Sequence, residues 1–125
     1  MKVIRLALVL AALAASACAS VNVKAEKLTR QAIQASEDNQ CAKHPAPCLS
    51  DAQFKATNAQ LYKVSLAGET YTKLARAGSA KPVDALAFAK AVTDALASVA
   101  ILDPTGTVSR KLADLNGVLN AAGAK

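Results

Sequence analysis

From residue 50 onward, apolar side chains return at alternating intervals of three and four through three successive runs, each closed by a glycine or a proline. A strand, whose side chains alternate with a period of two, cannot gather such a pattern on one face, whereas an α-helix of 3.6 residues per turn gathers it into a single seam. The chain is therefore expected to be all-α, and its architecture follows from where the runs begin and end.

The sharpest boundary lies in the segment LSDAQF, residues 49–54. Ser50 is placed to cap a helix with Gln53 reaching back, and Leu49 and Phe54 occupy the flanking staple positions. The seam that follows is Phe54, Leu61, Val64, Gly68, Tyr71 and Ala75, widened by Ala67 and Leu74, until Gly78 supplies a left-handed stop. The next helix starts near Pro82, a good first-turn residue, with Asp84 at the positive end of the dipole. Its seam is Ala85, Phe88, Ala89, Val92, Leu96, Val99 and Leu102. The segment DPTG, residues 103–106, fits a type I turn. The last helix carries Val108, Leu112, Leu115, Leu119 and Ala122, with Gly123 as its end. An earlier helix, from about Val21 to Asn39, shows the narrower seam Val21, Ala25, Leu28, Ala32 and Ala35.

The last two links are short, so successive helices should run antiparallel. The expectation is a small antiparallel up-down bundle of three to four helices with one disulfide-braced loop. Alanine is abundant, tryptophan is absent, and the aromatics are Phe54, Tyr62, Tyr71 and Phe88, a composition that favours close-packed helices. Gly68 falls on a seam in mid-helix, where it costs about 1 kcal/mol relative to alanine. A close helix crossing explains it; a hinge or a ligand gap is the functional alternative.

The first 17 residues have the layout of a secretory signal peptide: Lys2 and Arg5, an apolar run from Leu6 to Leu13, then small residues. Cuts after Ala17 or after Ala19 both fit the small-residue rule. Residues 18–49 then form an N-terminal helix and cysteine loop, joined in one domain to a bundle core over 50–125. Export also orders the cysteines. With Cys18 acylated or removed, Cys41 and Cys48 remain as an even pair in an oxidising compartment, and the stretch CAKHPAPC is a short stiff loop whose ends can be stapled. His44 between them makes a C-x2-H-x3-C string, but a structural zinc site wants a fourth ligand and none is evident, so no metal is expected.

Lys2 and Arg5 account for two of the formal net charges of +6, leaving a mildly basic +4 after the leader. The cations are scattered among acids with no nucleic-acid motif, so nucleic acid is not expected as a partner; envelope surfaces are. Nor does the sequence hold a recognisable catalytic string or a phosphate-cradling glycine loop. Glu37 and Asp38 are adjacent and point to different sides of a helix. No enzyme activity and no cofactor are expected.

One helical face does stand out. Opposite the seam of the 50–78 helix, Tyr62 and Leu66 form an apolar pair at i,i+4, with Lys63, Glu69 and Lys73 beside them and Lys55 nearby. It reads either as a docking spot for a partner or as a face that the first helix or a second copy of the chain covers. A bundle gap lined by Tyr71, Gly68 and Phe88, holding an apolar small molecule, is the alternative use of the small residues.

The segment Ala15-Ser16-Ala17-Cys18 resembles the bacterial lipoprotein box, with Ala15 where leucine is usual; under that resemblance Cys18 is the lipidation site. The ASAC leader followed by a short Ala-rich bundle and one Cys pair resembles small exported, lipoprotein-like helical proteins of bacteria and their phages. The resemblance implies a periplasmic or outer-membrane-anchored protein that works by binding an envelope protein or membrane surface. A phage origin would connect it with superinfection exclusion or lysis.

Overall fold

A computed structural model describes the backbone of residues 2–124 and the side chains of residues 20–124. The helices are α1 (Lys2–Asp38), α2 (Asp51–Arg76), α3 (Pro82–Leu102) and α4 (Thr107–Gly123). Helix α1 packs on α2 and α4, and α3 packs on the same two, so the four make a square in which only neighbours touch. All neighbours are antiparallel. At one end, Asn39 at the close of α1 donates to Thr105 before α4 (3.4 Å); at the other, Asn22 of α1 accepts from Thr72 near the end of α2 (2.8 Å). The expected up-down bundle is what forms.

Each helix boundary has a local cause. Ser50 Oγ accepts from the Gln53 amide (3.2 Å) and Gln53 Oε1 accepts from the Ser50 amide (2.9 Å), the reciprocal cap anticipated from LSDAQF. Leu49 beneath it is fully buried. Helix α2 stops where Gly78 adopts φ +69°, a conformation that a side chain resists. Pro82 opens α3, and Asp84 Oδ2 accepts from the Lys81 amide (2.8 Å). The 103–106 turn carries more than turn geometry. Asp103, 4% exposed, accepts from the Thr105 amide (3.0 Å) and hydroxyl (2.6 Å) with one oxygen and from the Val108 amide (3.0 Å) with the other. It thereby satisfies an otherwise orphaned donor in the first turn of α4. Gly123 closes α4 without left-handed geometry; what it provides is space, since a Cβ there would overlap Leu86.

Cys41 and Cys48 form the expected disulfide across the α1–α2 loop. The Cys41 amide donates to the Leu49 carbonyl (2.9 Å) and the Leu49 amide to the Asn39 carbonyl (2.7 Å), so the loop is clamped at its root as well. A loop this short contributes roughly 2–3 kcal/mol in the chain-entropy picture.

The core is unevenly supplied. Helix α4 buries Val108, Leu112, Leu115 and Leu119 completely, and α3 contributes Phe88, Val92 and Val99. Helix α2 adds Leu61, Val64 and Tyr71, whose ring lies 5.9 Å from that of Phe88. Among the described residues, helix α1 gives only Ala25 and Ala32 as fully buried apolar side chains. Its seam also differs from the expected one: Asn22, Ser36 and Asn39 are buried, while Val21, Leu28 and Ala35 are only partly covered. The helix is turned because its inward polar groups find partners: Asn22 with Thr72, Ser36 with Asn58 (3.2 Å) and Asn39 with Thr105. On α2, Thr57 is fully buried where the seam had Phe54, which is half-covered; on α3, Ala95 is buried and Leu96 only partly. Helix α3 is long and apolar enough by composition to cross a membrane, with a mean hydropathy of 1.7, yet it serves as a core helix here.

Candidate functional site

Small side chains on facing helices leave space between them. Along α1 the residues toward α2 are Ala25, Thr29 and Ile33; along α2 they are Ser65 and Gly68. Phe88 of α3 reaches beneath Gly68, so close that a Cβ at residue 68 would sit 2.9 Å from Cζ of the ring. The glycine is thus the close crossing expected from its place on the seam, and it also opens a surface groove of about 390 Å³ between α1 and α2, with the Phe88 ring at its base. That size lies in the range of small-molecule sites, roughly 300–1,000 Å³.

The groove is framed by polar contacts. At one end Thr72 donates to Asn22 (2.8 Å) and to Glu26 (3.3 Å); beyond the other end Ser36 donates to Asn58 (3.2 Å). Its walls are apolar apart from Ser65, because the Thr29 hydroxyl donates to the Ala25 carbonyl of its own helix (2.8 Å). Three charged side chains stand on the rim. Glu26 pairs with Arg76 (3.6 Å) and Glu69 with Lys73 (3.7 Å); Arg30 has no ion-pair or hydrogen-bond partner among the described residues.

The anticipated gap lined by Tyr71, Gly68 and Phe88 is therefore only partly right. Gly68 and Phe88 do border the groove, but Tyr71 is buried against Phe88 on the side toward α3, where it lines a smaller depression of about 200 Å³. Of the α1 wall, Ala25 lay on the expected seam, whereas Thr29 and Ile33 lie to one side of it and were missed.

The outer face of α2 is as the spacing foresaw. Tyr62 is 65% exposed and Leu66 46% exposed, and no helix covers them among the described residues. Glu69 and Lys73 continue the same strip and pair with each other. Lys63 does not belong to it: one residue on from Tyr62, it lies about 100° further round the helix, toward the α3 side. Since Glu69 stands both on the groove rim and beside Leu66, groove and outer strip form one continuous surface.

The remaining candidates lie elsewhere. Cys18 and both leader cuts fall outside the residues whose side chains are described. Cys41 and Cys48 are bonded to each other, which removes both thiolates from the C-x2-H-x3-C string. His44 is exposed in that loop, with Nδ1 2.6 Å from the Pro45 carbonyl. Among the described residues no cluster of three His, Cys, Asp or Glu side chains is placed to hold a metal ion. No protein-family model matches the sequence, and neither a curated protein nor a solved structure is significantly similar to it.

Proposed function

We propose that this chain is an exported cell-envelope protein that acts without catalysis, by binding a partner through its helix faces. The observation that carries the reading is the outer strip of α2, where Tyr62 and Leu66 stand exposed amid charged neighbours and run into the α1–α2 groove. An aromatic and an aliphatic side chain on a rigid helix present an anchor with little ordering entropy to lose on binding. The signal-peptide layout of residues 1–17 and the bonded Cys41–Cys48 pair support an oxidising compartment. Cys18 in the ASAC segment is the proposed lipid anchor, which would hold the bundle at the periplasmic side of a membrane; an envelope protein, the membrane surface or a second copy of the chain are the partners that fit. The link to phages rests on the resemblance of the leader and bundle style alone.

A photo-crosslinking amino acid at residue 62, and as a control at Ala97 on the exposed face of α3, tests the reading in bacteria expressing the full chain. Residue 62 is expected to yield a discrete adduct that Leu66→Glu abolishes, with none from residue 97. Equal adducts from both positions would remove the named site.

The groove supports a second reading, an apolar small-molecule binder. Gly68 supplies the observation: its missing side chain leaves a concave space beside an aromatic ring.

A further inference from the structure

We infer that the α1–α2 groove binds a free, single-chain aliphatic anion, its chain lying over Gly68 and Phe88 and its headgroup on Arg30. This rests on the second reading above and adds the class of ligand. Three features of the groove select that class.

The first is shape. The α1–α2 contact is pinned by Asn22–Thr72 at one end and Ser36–Asn58 at the other, 14 residues apart along α1, or about 21 Å. Between the pins, the groove is lined along α1 from Asn22 to Ile33, a rise of about 16 Å, and along α2 from Ser65 to Thr72, so it follows the helix pair lengthwise. An elongated chain fills a trough; a compact ring system would leave much of it empty.

The second is polarity. Apart from the Ser65 hydroxyl, the base and walls between the polar ends are aliphatic and aromatic, and the Thr29 hydroxyl donates to its own helix, so the interior has little to offer a ligand bearing many hydroxyl or amide groups. Such a ligand would lose water without replacement partners.

The third is charge. Both acids on the rim already have cationic partners, Arg76 for Glu26 and Lys73 for Glu69, neither of which lines the groove. Arg30 is the uncompensated charge at its edge, and a guanidinium favours a carboxylate or sulfate over any neutral or cationic headgroup.

The test is calorimetric titration of the full chain, disulfide intact, with decanoate, decyl glucoside and decyltrimethylammonium, all below micelle formation, and with phosphatidylglycerol vesicles. Decanoate is expected to bind about tenfold more tightly than either other headgroup. Arg30→Gln should remove that preference while leaving decyl glucoside unchanged, and Ser65→Phe, which fills the trough from the α2 wall, should weaken all three. Circular dichroism on both variants separates a lost site from a lost fold, and a second filling variant, Thr29→Leu, replaces Ser65→Phe if the latter unfolds. Equal affinity for the three headgroups overturns the role of Arg30 but leaves the apolar-binder reading standing. No binding of any of them overturns both. Binding to vesicles without binding to monomeric decanoate overturns the inference in favour of a lipid surface.

Discussion

The two antiparallel pairs of the bundle are built from different materials. Between α3 and α4, Val92, Val99, Leu112, Leu115 and Leu119 are fully buried, and outside them Asn116 donates to Thr93 (2.7 Å) to close the seam. Between α1 and α2, the residues facing across the groove are alanine, threonine, serine and glycine with the half-buried Ile33, and hydrogen bonds join the helices at the two ends of their contact. A buried leucine is worth about 1.5–3 kcal/mol in transfer from water, and an intramolecular hydrogen bond about 0.5–1.5. The α3–α4 side therefore carries the stability, which leaves the α1–α2 side able to keep an open groove. Stability and binding surface are divided between the two halves of one small domain.

The division predicts unequal responses to truncation. Leu115→Ala, at a site with no exposure, is expected to cost about 3 kcal/mol, whereas Ile33→Ala on the groove wall should cost about 1; urea denaturation of the two variants gives the comparison directly. Equal losses would mean that α1 contributes as much packing as α4.

Asp103 ties the tight pair together, and its removal strands the Val108 and Thr105 donors in a buried corner. Asp103→Ala should cost about 2 kcal/mol, and Asp103→Asn, which keeps one acceptor oxygen, about half of that, measured by the same denaturation.

Gly68 marks where the two halves meet. In the native background, Gly68→Ala pits a helix-propensity gain of about 1 kcal/mol against displacement of the Phe88 ring, and a net loss of about 1 kcal/mol is expected. With Phe88→Leu the obstructing atom is gone, so the same substitution should stabilise by about 1 kcal/mol. A double-mutant cycle reads that reversal of sign, which a glycine needed only for flexibility would not give.

The smallest expected effect concerns Thr57, whose hydroxyl is buried and makes no hydrogen bond. Thr57→Val keeps the shape and removes the unsatisfied group, so it should leave stability unchanged or raise it by up to about 1 kcal/mol, visible as a small rise in Tm.

The same division explains what the sequence made legible. On α4, the residues at alternating four and three were large and apolar, and Val108, Leu112, Leu115 and Leu119 are indeed the buried set. The Ser50–Gln53 cap, the Gly78 stop and the Cys41–Cys48 bond were equally plain, because each depends on residues close together in sequence. On α1 the pattern was right for Ala25 and Ala32, which are buried, but Val21, Leu28 and Ala35 are only partly covered. Alanine fits either face, so the buried face was decided by Asn22, Ser36 and Asn39 finding polar partners 50, 22 and 66 residues away. The groove inherits that illegibility: Gly68 and Phe88 were singled out for it, but Arg30, Thr29 and Ile33 were not, since only the rotation of α1 brings them to its edge. Asp103 was read as a turn residue, and its second role as the cap of α4 needed the fold. The Tyr62–Leu66 strip was readable because exposure opposite a well-marked seam follows from helix period alone.

The most direct measurement is a methyl NMR titration of the full chain with decanoate. The expected result is movement of the Ala25 and Ile33 methyl signals, which line the groove, with Leu115 and Leu119 unmoved in the opposite half. Shifts at the α4 leucines equal to those at Ala25 and Ile33, or no shift at the groove methyls, would contradict the assignment of binding to the loosely packed half of the bundle.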